Sequence, residues 1–594
     1  MQPGLSGERS RKNASRDAHY FINKWGLTWK IPLSYVDVEH DGETVKFAYI
    51  KPLDFLNYLT QKAPELLMGG CPNLDDGQAQ LESFWKAYSH IHPTHCLFKE
   101  QKSERSLSNT FALAIHGDEG RGLKRGNTTI LMMETCVGLD TWANWVNKKG
   151  ASTCEDCSLD EPARKRLRLD HSAPASAMNP ACYQTTNLKQ HSFLTKFVLA
   201  ALPKKNKELV DAVLTEIVRD FNILFETGFC SGGRRWFGAC TGSKGDLKWV
   251  QRIAELERSF GSQISIGKPM CHECMAGTPE LPFEDSTHEP LWGPTCYTVR
   301  PFSVKPILCH IPFEYEGGDD NPPYERFFRR DIFHNTKQGV YRDFIASCVM
   351  LLAKMHYFDV DGESNRRDVL LDRAYFHFRW FCKTTGRTPA LRGFSLSFFN
   401  SPSWHAFPWV NCKGSDTSHL LAWVHTMLVG FQNAPLKDED STVLKHMVNA
   451  ADSARTLQRI CYSHHLWLNK NCGGKLYKEM HAFARNYNAC AFLAMHKYGF
   501  TGFGMKSKYH LICHAKLDVL KVLQNRDASL VPNLQLFGCE MNEDIVGKIS
   551  RLIRRVSART ASSRALQLYL TKAKSVYRRF RKQQMKLKCQ RITR

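Results

Sequence analysis

The stretch that most constrains this chain is Thr110 to Cys136, TFALAIHGDEGRGLKRGNTTILMMETC. Two unbroken apolar runs, Phe111 to Ile115 and Ile130 to Met133, lack the alternation of a half-solvated strand. They read as central strands buried on both faces. Between them a turn is expected, carrying Asp118 and Glu119 among Gly117, Gly120, Gly122 and Gly126. The glycines let the backbone reverse tightly. An acid at the end of a buried strand is costly unless something pairs with it, and a hard divalent cation pairs with it well. The competing reading is a plain hairpin whose acids sit in water. A P-loop is excluded, because its Lys-Ser/Thr is missing. If the turn does chemistry, it is a metal site.

The same placement recurs downstream. In WFGACTGSKGDLKWVQRIAELERSF, Trp236 to Thr241 reads as a buried strand and Gly242 to Gly245 as a turn. Asp246 then opens a helix running through Ile253, Leu256 and Phe260. A helix N-cap explains Asp246 equally well. Asp331 and His334 lie one helical turn apart at the start of an amphipathic helix. They can orient one another, share a metal, or be an N-terminal acid beside a surface histidine. A last helix begins near Asn542, with Glu540, Glu543 and Asp544 at its start. Its apolar stripe is Ile545, Ile549, Leu552, Ile553 and Val556, and its basic stripe is Lys548, Arg551, Arg555 and Arg559. Two aspartates at adjacent strand ends and an acid on a following helix can converge at one edge of a mixed sheet. Such a trio can hold two divalent ions about 3.5–4 Å apart, serving the attacking and leaving oxygens of a phosphodiester. The residues leave open whether Asp246 or Asp331 is the second acid, and whether Glu540, Glu543 or Asp544 is the third.

Charge points to the same substrate class. The formal charge of +23 attracts polyanions, of which nucleic acid is the usual one. Arg551 to Arg594 contains no acid but many Arg and Lys, which suits a phosphate backbone. The start, MQPGLSGERSRKNASRD, has no apolar signal core, and no stretch approaches the roughly 20 apolar residues of a membrane span. The 21 cysteines are therefore expected in a reducing compartment, mostly as small core residues. Cys271-His-Glu-Cys274 is a weak zinc signal, because a structural site needs four ligands; Cys296, Cys309, His288 and His310 are nearby candidates. A loop-like segment, 139–185, holds Cys154, Cys157 and the cluster Arg164, Lys165, Arg166, Arg168. That cluster reads as a nuclear localisation signal or a nucleic-acid patch, against the plainer reading of a solvated charge run.

Elsewhere, Lys207 to Phe225 is an amphipathic helix and Val304 to Pro312 is strand-like. Residues 345–500 read as mostly helical through Phe344–Met355, Val369–Phe381, Leu420–Val429 and Leu444–Tyr498, with Trp404–Thr417 as a loop. Residues 498–515, containing His510 and His514, return to strand-like character. No helix-turn-helix or zinc finger is recognisable in 1–105.

Taken in order, these motifs resemble the ribonuclease-H-like catalytic domain of eukaryotic DDE transposases, in particular the CACTA-type and Kyakuja-Dileera-Zisupton groups. The resemblance rests on Gly245-Asp246 followed by a helix and Cys271-x-x-Cys274, on Asp331-Ile-Phe-His334 as a [C/D]-x-x-H motif, and on a large helical stretch before a terminal Glu helix. KSKYHLICH is similar to the K-P-K-x-H strand of these families, with Ser507 where Pro is usual. The resemblance covers 105–560 in outline. It implies an α/β fold: a ribonuclease-H-like mixed sheet flanked by helices, interrupted by a large α-helical insertion, with a basic C-terminal helix. The expected divisions are 1–105 of unclear fold, 106–344 as the first part of the core, 345–500 as the insertion, 501–560 as core completion with the third acid, and 561–594 as a basic tail. Asp118, Asp246 and Glu543 are the implied catalytic acids, binding Mg²⁺ or Mn²⁺ in a two-metal site, with Zn²⁺ at Cys271 and Cys274. The implied activity is DNA strand cleavage and transfer in the nucleus, with DNA as partner, no membrane, and a homo-oligomer left open. The alternatives are a catalytically inactive nuclear DNA-binding protein derived from a transposase, and an unrelated globular protein whose acids are caps and turns.

Overall fold

In the computed structural model the apolar runs form the middle of one sheet. The structure describes residues 17–592 apart from 19, 41–42, 101, 123–125, 140–187, 204–206, 259, 261–268, 317–321, 360–365, 434–437, 465 and 558–559. The sheet's strands are β1 (Ser34–His40), β2 (Glu43–Tyr49), β3 (Thr110–Arg121), β4 (Asn127–Thr135), β5 (Lys196–Pro203), β6 (Phe229–Ser231), β7 (Arg234–Lys244) and β8 (Phe328–Arg329). Their order in space is β1-β2-β5-β4-β3-β7-β6, with β8 also beside β7. β3 pairs antiparallel with β4 and parallel with β7, and β8 runs parallel to β7. The fold is therefore mixed α/β around a mixed sheet.

β3 outlasts its apolar run. Its pairing with β4 continues to Arg121↔Asn127, so Asp118 lies within the strand opposite Ile130 rather than in a turn. The reversal comes later, where Gly122 N donates to Gly126 O at 2.7 Å. Gly117 and Gly245 serve packing: an added Cβ would lie 2.1 Å and 2.3 Å from the Trp249 side chain. β7 likewise runs past its apolar core to Lys244, absorbing the expected turn, with Gly242 at φ +120° beside the register shift against β3. The helix after Asp246, Leu247–Ile253, ends well before Phe260.

Residues before 105 are not a separate unit. β2 pairs with β5, and the helices Pro52–Lys62 and Leu74–Ser89 bury Phe55, Leu59, Phe84 and Trp85 in the same core as the sheet. The expected helix after Lys207 is present as Lys207–Glu226. The C-terminal stretch is no free tail. It forms the helix Ala561–Ile592, which packs on β2 and β5 and buries Leu566, Tyr569, Leu570, Ala573, Val576 and Phe580. That three-and-four spacing is amphipathic, and its exposed Lys and Arg hide it from an average over composition.

A second core lies outside the sheet. Helices Tyr341–Lys354, Arg367–Thr384, Gly414–Gln432, Asp438–Ser463, Lys470–Tyr498 and Ser507–Gln524 share it. The single expected run from Leu444 to Tyr498 is two helices, separated by β9 (Trp467–Asn469), which pairs with β10 (Leu530–Pro532). Two expected strands are absent. Val304 to Pro312 holds a 3₁₀ turn, Ile307–His310, flanked by Pro306 and Pro312, which cannot donate to a ladder. Residues 507–515 belong to the helix Ser507–Gln524, buried along nearly its whole length from Tyr509 to Leu517. A helix buried all round loses the 3.6 period that distinguishes it from a buried strand.

Among the described residues no helix is long and apolar enough to cross a membrane, and the cysteines there are nearly all buried. The cluster Arg164, Lys165, Arg166, Arg168 and Arg559 lie outside the described residues, as do Cys154 and Cys157.

The packing of the last helix is testable. Tyr569 is fully buried and its Oη donates to Lys196 O at 3.0 Å. Tyr569→Ala should lower unfolding free energy by about 3–5 kcal/mol in chemical denaturation; a free tail would show no change.

Candidate functional site

The sheet brings three of the sequence's acids to one edge. Asp118 sits near the end of β3, Asp246 lies two residues past the end of β7, and Glu543 lies in the first turn of the helix Glu540–Ile553, which packs on β3. The fit is close: a Cβ on Gly120 would lie 2.0 Å from Ser550 Oγ. Asp118 and Glu543 face one another, and the contact raises the Asp118 carboxyl and lowers that of Glu543. Burial, then Glu543, then Asp246 push the Asp118 carboxyl up to about 8. Burial also raises Glu543. Asp246 is at once an N-cap, Oδ1 accepting from Trp249 N at 2.7 Å, and a member of the cluster, adding negative charge beside both other acids.

The other candidate acids have partners of their own. Glu540 is taken by Lys337 Nζ at 3.2 Å, and Asp544 by Lys548 and by Ser192 Oγ at 2.6 Å. Glu543 alone of the three faces Asp118. Asp331 is fully buried with its oxygens spent: Oδ1 accepts from Phe333 N at 2.8 Å and Cys539 N at 2.9 Å, and Oδ2 meets His334 Nδ1 at 2.5 Å. It braces the site, and Asp246 stands beside Asp118. His334 Nε2 lies 3.4 Å from Glu543 Oε1. Burial lowers the His334 imidazole, but Asp331 and Glu543 outweigh it and push it up to about 9. At neutral pH an imidazolium therefore backs Glu543.

Beneath the acids lies a charged group that the sequence reading did not single out. Glu134 on β4 is wholly buried between Lys196 of β5 and Lys244 of β7 and accepts from Asn542 Nδ2 at 3.0 Å. Although burial alone raises it, the two lysines hold its carboxyl down at about 2. Lys244 Nζ also donates to Gly538 O at 2.9 Å, tying the start of the Glu543 helix to the sheet. The available signal was one acid and two lysines at the ends of otherwise apolar strands. His116, two residues before Asp118, is buried with neither ring nitrogen bonded.

The second centre is Cys271, Cys274, His510 and His514, whose ligand atoms all lie within 4.8 Å of one another in full burial. Cys271 Sγ–His514 Nε2 is 3.4 Å, Cys274 Sγ–His510 Nε2 3.2 Å, and His510 Nε2–His514 Nε2 3.0 Å. Zinc bonds of about 2.0–2.3 Å place tetrahedral ligand atoms about 3.3–3.8 Å apart, so the set fits with a small expansion. His510 Nδ1 meets Phe283 O at 2.9 Å, and His514 Nδ1 faces Glu273 at 3.8 Å, leaving each Nε2 for a metal. This buried Cys₂His₂ cluster can hold a metal such as zinc. The nearby candidates do not take part as expected: His288 bonds Tyr477 Oη at 2.5 Å, Cys309 Sγ faces Tyr324 O at 3.7 Å, His310 is exposed, and Cys296 only neighbours His514 at 3.7 Å. The true partners are i, i+4 histidines on a helix read as a strand. Among the described residues no other group of three or more ligand types is gathered this closely.

Of the basic residues expected to meet DNA, Lys548 is occupied. It pairs with Asp544 and donates to Ser192 Oγ at 2.6 Å, with its side chain 10% exposed. Arg551 and Arg555 are exposed.

Three outcomes follow from this geometry. Protein purified without chelator should carry one zinc per chain by elemental analysis, and Cys271→Ser with His514→Ala should abolish it. Any manganese binding at the acids, measured by calorimetry, should strengthen with pH to about 8 and then level, because it must displace the proton on Asp118. Without divalent metal, folded Asp118 holds a proton from about 4, its unfolded range, up to about 8. Stability therefore falls as pH rises through that window. Asp118→Asn should be more stable than the parent above it and equal to it below about pH 4.

No family model matches this chain, and no curated protein matches it.

Proposed function

We propose that the chain is a transposon-derived protein of the DDE transposase type, built on a ribonuclease-H-like fold, that cleaves DNA strands and transfers them. The observation that carries this reading is the meeting of Asp118, Asp246 and Glu543 at one sheet edge, where burial first, then Glu543 and Asp246, raise the Asp118 carboxyl to about 8. Buried carboxylates brought to one edge suit a hard divalent cation. The mixed sheet, the helical body inserted between β8 and the Glu543 helix, and the charge of +23 all suit the reading.

Asp118, Asp246 and Glu543 would hold Mg²⁺ or Mn²⁺, which supplies activation of the attacking oxygen and stabilisation of the leaving oxygen. The Trp249 N–H fixes one oxygen of Asp246 and so orients the other. His334, held by Asp331, backs Glu543 against rotation and offsets the excess negative charge. The reaction pair is hydrolysis of a phosphodiester by water, then attack of the freed 3′ hydroxyl on target DNA. The basic cluster Arg164, Lys165, Arg166, Arg168 suits a nuclear protein.

A catalytically inactive nuclear DNA-binding protein is the second reading, and one observation favours it: Asp118 bonds Glu543 and Asp246 caps a helix, so the acids satisfy one another without metal. Cleavage of a DNA duplex with Mn²⁺ separates the two. The parent should cleave, and Asp118→Asn and Asp246→Asn should fall to background while binding DNA equally well without divalent ions. Asparagine keeps the Asp246 cap. Undiminished cleavage in both variants sinks the catalytic assignment; salt-sensitive binding with no cleavage by the parent selects the second reading.

A further inference from the structure

The two last helices leave a groove between them. It has a volume of about 720 Å³, and its lining includes Lys548, Arg551, Arg555, Lys572 and Arg579 with the apolar Phe193 and Leu568. Arg551, Arg555, Lys572 and Arg579 are exposed, and none has an acidic partner among the described residues. Nor does the chain supply one nearby, since no acid occurs from Arg551 to Arg594. Charges gathered on facing helices without counter-charges repel one another, a standing cost that a polyanion removes.

The helix that carries Glu543 also supplies one of the groove's arginines, Arg551. Glu543, Gly547 and Arg551 follow at four-residue spacing on one helix, so they lie along one row, and Arg555 extends it past the helix end. At 1.5 Å per residue, Arg551 lies about 12 Å from Glu543 along the axis. Gly547 occupies the turn between them. An added Cβ there would meet only Arg551 Nη1, at 3.8 Å, so the fold gives no packing reason for a residue that weakens a helix interior. It does leave a low lane from the acids to the cations.

We propose that this groove is the track for the phosphate backbone of duplex DNA leading to the acid cluster, with Arg551, Arg555, Lys572 and Arg579 as its phosphate contacts. This rests on the DNA-cleaving reading of that cluster and adds the path of the substrate. Lys548 is excluded from the track by its pairing with Asp544. Lys572 and Arg579, on the helix behind it, take its place.

The test is fluorescence anisotropy of a 30-base-pair duplex of arbitrary sequence against the full chain, in a KCl series without added divalent ions. The parent should bind with log K falling linearly with log[KCl]. Replacing Arg551, Arg555, Lys572 and Arg579 together by Gln should make that slope shallower by about 3–4, one phosphate contact being worth about 0.9. Gly547→Gln should weaken binding several-fold with a melting temperature at or above the parent's. A parent that binds with steep salt dependence while the quadruple variant keeps the same slope overturns the track and leaves the cleavage reading intact. A parent that shows no salt-dependent DNA binding overturns both.

Discussion

The buried carboxylate of Glu134 is the interaction on which the rest of the site depends. A charge in the middle of a sheet is tolerable only when neutralised in place. Here two lysines from two strands and an asparagine from the last core helix meet it together. Lys196 comes from β5 and Lys244 from β7, and Asn542 is one residue before Glu543. A single buried anion therefore fixes the sheet's lateral order and the height at which Glu543 enters it. Such a pair is weak evidence for stability, because desolvation consumes most of its attraction. Its consequence is position: any other seating of the helix leaves Glu134 short of a partner.

A second constraint acts from the other side. Arg330 pairs with Glu273, inside the Cys271–Cys274 turn, and with Asp518, on the helix that carries His510 and His514. The next residue, Asp331, receives Cys539 N and His334. Two consecutive side chains thus link the Cys₂His₂ centre to the bracing of Glu543. Lys508, at the start of the same helix, donates to Gln338 O at 2.8 Å. A metal at the Cys₂His₂ centre would clamp a long helix to a short turn, and the acid cluster would sit where that clamp meets the sheet.

The cluster also stores repulsion. Asp118 is partly buried beside Glu543 and Asp246, and burial, then their charge, raises its carboxyl. The His334 imidazolium offsets part of that charge from behind.

Much of this was legible in the chain. The apolar runs around Asp118 and before Asp246 specified strands, because four or five consecutive apolar residues can be buried only in an interior, and their acids marked the edge. The helix opening at Glu540 was legible because its apolar stripe keeps the 3.6 period. What the sequence could not determine was which of several equivalent acids face one another. Glu540, Glu543 and Asp544 differ by one helical step, and only the partners Lys337, Lys548 and Asp118, brought from elsewhere, tell them apart. The same holds for the Cys₂His₂ set, whose halves lie more than 230 residues apart, and for the C-terminal helix, whose apolar side is visible as a face only once β2 and β5 are there to receive it. Local burial and periodicity are written in neighbouring residues; pairings of charge and ligand across the chain are fixed only when the tertiary fold sets the distances.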